Sequence, residues 1–135
     1  MPVMDIERLK AVGGDHIIVF NGPDEQYVAG RLMGADSGIG GTYGAMPELY
    51  LKAEEFISTG KLNEARNIQR DINDIIIALC SLNGSMYSVI KEILKLNGVN
   101  IGSVRGPLEP VSGEDLNKIE DIKKLIDSTI IKYRG

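Results

Sequence analysis

The chain alternates between short apolar runs and longer stretches whose apolar residues recur every three or four positions. In 3-VMDIERLKAV-12, Val3, Ile6, Leu9 and Val12 fall at helical spacing, and Gly13-Gly14 stops the helix. The next segment, 16-HIIVF-20, shows no alternation, with four apolar residues following His16. Such a run predicts a strand covered on both faces, as in a parallel sheet. Asn21 and Gly22 turn the chain, and Pro23 with Asp24 suits the opening of a helix that sets Val28, Leu32 and Ala35 on one side. A second, weaker strand is expected over 36–40, from its place in the rhythm more than from its composition.

From Pro47 onward the pattern is helical. Helices are predicted over 46–59, closed by Gly60, and over 62–82, where Ala65, Ile68, Ile72, Ile75, Ile76 and Leu79 make one stripe. Another is predicted over 85–97, closed by Gly98. The loop 98–112 carries Pro107 and Pro110, and a last helix after Ser112 is expected to bury Leu116, Ile119, Ile126 and Ile130. Ser112 and Asp115 stand at capping-box spacing, although aspartate is a poorer partner than glutamate. Helix, strand, loop, helix, short strand, loop, helix is the order of a parallel α/β fold, here followed by a helical tail. Two parallel strands cannot satisfy their own edges, and the N-terminus starts on a helix with no strand before it. The sequence therefore reads as the end of a larger unit.

Composition narrows the classes of partner. A length of 135 residues suits one domain, and a net charge of -4 argues against nucleic acid or anionic membrane, which attract basic surfaces. Charged and apolar residues mix early, in 4-MDIER-8, so no signal peptide is expected, and there is no run of about 18 apolar residues to cross a membrane. Cys80, the one cysteine, cannot form an internal disulfide, and within IIIALC it is expected to be a packing residue. A soluble, cytoplasmic protein is the expectation.

In parallel α/β folds ligands sit beyond the C-terminal ends of the strands. Both candidate loops fall there. Asp24 and Glu25, at a predicted helix start, are either cap and first-turn charge or acceptors for the hydroxyls of a polyol. Gly38, Gly40 and Gly41 admit three readings: a tight turn, a close approach of backbone to ligand, or a phosphate cradle. Tyr43 and Tyr87 are either core residues with a polar handle or pocket walls. His16, at the opposite end of its strand, suits a structural role. No cluster with metal-ligand spacing exists, so neither metal nor cofactor is expected, and a single misplaced histidine leaves Ser/His/Asp catalysis unsupported.

The segments FNGPDE and GADSGIGGTYG, with 101-IGSVRGPLEPVSGEDL-116 leading into the last helix, resemble the N-acetylneuraminate lyases, within the larger group that includes dihydrodipicolinate synthase. The NGPDE form favours the sialic-acid branch. The resemblance covers essentially the whole chain but only the last part of the family's. It implies the C-terminal part of a (β/α)8 barrel with a helical extension: residues 1–60 would hold the end of helix 6, strand 7 (16–20), helix 7, strand 8 (36–40) and helix 8, and 61–135 the extension. It implies carbon-carbon bond cleavage through a Schiff base between a lysine and pyruvate. That lysine, like the family's catalytic tyrosine and its carboxylate-binding turn, belongs upstream of Met1, so no catalytic residue is expected in this chain. Gly22, Asp24 and Glu25 match positions that contact the hydroxylated sugar chain, and Ile39, Gly40 and Gly41 match the turn bordering the substrate. Gly41 departs from the serine often found there. Tyr87 falls near an aromatic residue that helps close the pocket. The implied ligands are a sugar acid and pyruvate, if the remainder of the barrel is supplied. A non-catalytic, self-associating remnant and a synthase-like aldolase are the alternatives. The unpaired strand edges predict a homo-oligomer.

Overall fold

The computed structural model describes residues 2–134. Six helices and two short parallel strands follow in the order α1 (Val3–Gly13), β1 (Phe20–Asn21), α2 (Tyr27–Leu32), β2 (Ser37–Gly38), α3 (Pro47–Ser58), α4 (Leu62–Cys80), α5 (Met86–Leu96) and α6 (Leu116–Tyr133). Phe20 pairs with Ser37 and Asn21 with Gly38, in parallel register. Outside the ladder, Asp36 N donates to Val19 O at 2.8 Å and Ile39 N to Asn21 O at 2.9 Å.

The helices form where apolar spacing predicts them. Pro47 opens α3 at a position where its missing N–H costs nothing, and Gly60 and Gly98 follow α3 and α5 with φ of 72° and 85°. Of the predicted α4 stripe, Ala65, Ile68, Ile72, Ile75 and Leu79 are wholly buried and Ile76 is half-buried against them. The stripe packs with Leu49, Ala53 and Phe56 of α3, Val89 and Ile93 of α5, and Ile119, Ile122 and Ile126 of α6. A separate small cluster, Ile6, Val19 and Ala35 with Ile17 against it, joins α1 to the strand side.

Several expectations give way. The strands are shorter than 16–20 and 36–40, because only residues 20–21 and 37–38 exchange ladder bonds. Nor is the apolar run covered on both faces. Val19 is 8% exposed, whereas Ile18 and Phe20 are 74% and 49% exposed, since no element among the described residues faces their side of the sheet. His16 lies exposed on a 3-10 turn that precedes the strand. Leu9 and Val12 are exposed, because α1 packs mainly through Ile6. Leu32, the last residue of α2, is exposed although it lies one turn from buried Val28, and Ala35, itself buried, falls in the turn after the helix. Cys80 is exposed rather than packed: it follows buried Leu79, and one step along a helix rotates a side chain by about 100°. Leu116 is exposed for a similar reason, since α6 buries the stripe Ile119, Ile122, Ile126 and Ile130. The capping box does not form. Asp115 accepts instead from Asn83 N at 2.9 Å and from Lys118 Nζ at 2.7 Å, tying the α4–α5 turn to the start of α6.

Candidate functional site

Beyond the C-terminal ends of β1 and β2, two loops lie side by side. The first is shaped by Asn21, fully buried, whose Nδ2 donates to Pro23 O at 2.7 Å and so tightens the turn into Asp24. Residues 24–26 form one 3-10 turn before α2. Its outer surface is fixed from α4. Gln69 Oε1 accepts from Val28 N at 2.8 Å, and Gln69 Nε2 donates to Asp24 O at 3.3 Å and to Asn73 Oδ1 at 2.9 Å. The second loop runs from Ile39 through Gly40 and Gly41 into the 3-10 turn Thr42–Gly44.

Asp24 joins the two. Its side chain, 7% exposed, does not cap α2; Oδ2 accepts from Thr42 N at 2.8 Å and from Thr42 Oγ1 at 2.6 Å. Thr42 Oγ1 also meets Tyr50 Oη at 2.7 Å. The approach is so close that a Cβ on Gly40 would sit 1.5 Å from Asp24 Oδ1, so the glycine there serves backbone proximity. The neighbouring Gly41 lies against Tyr87, whose Cε1 would be 2.8 Å from an added Cβ. Gly22, Glu25, Ile39 and Tyr87 are exposed on this rim.

Beneath the loops lies a cluster of three tyrosines. Tyr43 and Tyr50 stack with ring centroids 3.9 Å apart, and Tyr27 meets each edge-on at 5.9 and 5.4 Å. Burial raises all three phenols; Tyr27 is pushed up to about 12, by desolvation first and then by its bond to Glu54. Tyr27 Oη donates to Glu54 Oε2 at 2.8 Å, and Arg31 binds the same carboxylate through Nε and Nη2 at 2.8 and 2.6 Å. Those bonds hold Glu54 below the usual carboxylate range, Arg31's first and Tyr27's after it. Tyr43 Oη is buried with no partner among the described residues, close against Gly38.

The structure therefore brings Gly22, Asp24, Glu25, Ile39, Gly40, Gly41 and Tyr87 to one end of the sheet. Thr42, Tyr50 and Gln69, which hold them there, carry no mark in the sequence, because single polar contacts between elements leave no periodic trace. The rim offers carboxylate and backbone acceptors suited to hydroxyl donors. Neither loop, 22–26 or 39–44, contains a lysine, and Lys10 lies at the other end of β2, 3.1 Å from Asp36. No group of three or more His, Cys, Asp or Glu able to hold a metal occurs among the described residues, and none of their helices is long and apolar enough to cross a membrane.

The model of the dihydrodipicolinate synthetase family matches residues 2–126. The chain belongs to that family. A curated relative, the N-acetylneuraminate lyase of Mediterraneibacter gnavus, is 52% identical over 127 residues, which are 93% of this chain and 40% of the relative. The family fold is equally clear in solved structures. A catalytic lysine mutant of Ruminococcus gnavus sialic acid aldolase superposes with a TM-score of 0.96 at 50% identity, covering 98% of this chain and 44% of that one. The N-acetylneuraminate lyase of Fusobacterium nucleatum gives 0.81 at 31% identity, covering 90% and 40%. The chain thus spans about 40% of the length of the curated relatives it matches, and its fold is the C-terminal part of a barrel aldolase with a helical extension.

Proposed function

We propose that this chain supplies the sugar-recognition side of a pyruvate-dependent, Schiff-base aldolase that cleaves N-acetylneuraminate to N-acetylmannosamine and pyruvate. The observation that carries the reading is the bridge from Asp24 to Thr42, which fuses the two strand-end loops into one wall and leaves Gly22, Glu25 and Ile39 open beside it. On this reading the free carboxylate oxygens of Asp24 and Glu25 accept hydroxyls of the sugar chain, the backbone at Gly40 and Gly41 borders it, and Tyr87 closes the far side. Residues 1–60 form the barrel segment and 61–135 the extension.

The nucleophile comes from elsewhere. A lysine amine condenses with the substrate ketone and releases water, and the resulting iminium takes up the electrons of the breaking carbon-carbon bond as the aldehyde leaves. One solved relative is named for its catalytic lysine, and the loops of this chain offer none. Hence the chain alone should gain no mass from pyruvate and borohydride. A polypeptide supplying the first six strands should restore both trapping and cleavage. A pyruvyl adduct on the isolated chain would refute the division of labour. A folded, pyruvate-trapping complement that leaves N-acetylneuraminate intact would refute the substrate.

The exposed apolar side chains Ile18 and Phe20 favour a second role beside this one, self-association through the open side of the sheet.

A further inference from the structure

Proton positions beneath the two loops follow from donor and acceptor chemistry. In the 2.6 Å contact Thr42 Oγ1 is the donor and Asp24 Oδ2 the acceptor. A hydroxyl has one proton to give, so in the 2.7 Å contact the Tyr50 phenol must donate to Thr42 Oγ1. The relay runs one way: Tyr50 to Thr42 to Asp24. Burial keeps the Tyr50 phenol protonated well above neutral pH, and its ring is held in the tyrosine cluster.

The two oxygens of Asp24 are consequently unlike. Oδ2 takes both the hydroxyl and the backbone N–H of Thr42. Among the described residues Oδ1 takes no bond; it is not one of their buried unpaired oxygens and lies against the bare backbone of Gly40. A carboxylate on a short side chain would otherwise turn about its last torsion and offer either oxygen.

We propose that Thr42, with Tyr50 behind it, is a positioning residue, holding Asp24 so that Oδ1 alone is presented to a hydroxyl of a polyhydroxylated ligand. The proposal rests on the sugar-recognition reading of the loops. It assigns to Thr42 a task distinct from packing: selecting the orientation of an acceptor. Serine keeps the hydroxyl and should preserve the task; valine keeps the shape and should abolish it.

The test uses the chain as it exists, titrated with N-acetylmannosamine and followed on the backbone amides of Gly22, Gly40 and Gly41 by NMR. Wild type and Thr42→Ser should show saturable shifts, and Thr42→Val should bind about tenfold more weakly while keeping a dispersed spectrum. If Thr42→Val fails to fold, Tyr50→Phe is read instead, since it removes only the donor behind Thr42; a severalfold weakening is expected. Unchanged affinity in the folded variant, or no response of the wild-type loops to the ligand, overturns the proposal. The lyase reading is judged separately, by cleavage in the complemented barrel. Thr42-dependent shifts without cleavage would remove the substrate assignment and leave the positioning role standing.

Discussion

Replacing Gly40 by alanine tests the joint between the loops directly. The added Cβ would lie 1.5 Å from Asp24 Oδ1 and 2.4 Å from its Cγ, distances no side chain tolerates. Asp24 must therefore swing away, and its two bonds from Thr42 cannot both survive. Overpacking of this kind costs about 1–3 kcal/mol. Losing one hydrogen bond to a charged group adds about 1.5–3 kcal/mol. The more restricted unfolded chain returns about 0.4–1 kcal/mol to the alanine variant. The net is destabilisation near 3 kcal/mol, a large share of the roughly 5–15 kcal/mol typical of a domain. In urea, with a slope of about 2 kcal/mol/M, the midpoint should fall by about 1.5 M while the slope stays constant. The control is a cycle with Asp24→Ala. Without the carboxylate the three atoms nearest that Cβ are gone, so most of its cost should vanish, giving a coupling of about 2 kcal/mol. A Gly40→Ala variant within about 0.5 kcal/mol of wild type would refute the reasoning, as would an equal cost with and without the Asp24 carboxylate.

Ile72 and Ile18 make an instructive pair: Ile72→Ala, at a fully buried position, should cost about 2–5 kcal/mol in chemical denaturation, whereas Ile18→Ala, at 74% exposure, should stay within about 0.5 kcal/mol. A similar cost for both would place the core wrongly. Alkali should destabilise the chain, because Tyr27, Tyr43 and Tyr50 hold their protons in the fold above the phenol's unfolded value of about 10. Their stabilisation is complete below that value and is lost as pH rises toward the folded values; phenolate absorbance should rise together with unfolding, and free titration of all three in the folded chain would contradict this. The wild-type chain should self-associate in light scattering through the face bearing Ile18, Phe20 and Ile39, and Phe20→Lys should shift it toward monomer. A monodisperse wild-type monomer at working concentration would rule this association out.

The helical part was readable because burial there repeats with the helix. Ile68, Ile72, Ile75 and Leu79 recur at the spacing that one covered face requires, and all four are fully buried. Spacing loses its force where the periodicity ends, so Cys80 and Leu116, at the end of α4 and the start of α6, fit the core by sequence and lie outside it. HIIVF misled for another reason. An unbroken apolar run states that both faces suit burial, not that this chain supplies both covers, and Ile18 and Phe20 remain open. At the candidate site, Asp24 and Glu25 were visible as adjacent acids after a strand. Their different environments were not: Asp24 is buried in a contact spanning 18 residues, while Glu25 is exposed. Thr42 and Tyr50 carried no signal at all, since one hydrogen bond between a turn and a helix imposes no pattern on either.

The small cluster of Ile6, Val19 and Ala35 has a consequence for how the chain breathes. Among the described residues the helical side shares one continuous core of 21 buried residues, but α1 and the outer flank of β1 are anchored by three, with Lys10 bonded to Asp36 and to Ile17 O. Local opening draws on the contacts of the part that opens, so amides of residues 3–19 should exchange with deuterium long before those of α4. Such a loosely latched edge can detach and re-form while the helices stay folded. It gives the strand pair a way to admit a neighbouring strand without the whole molecule having to unfold.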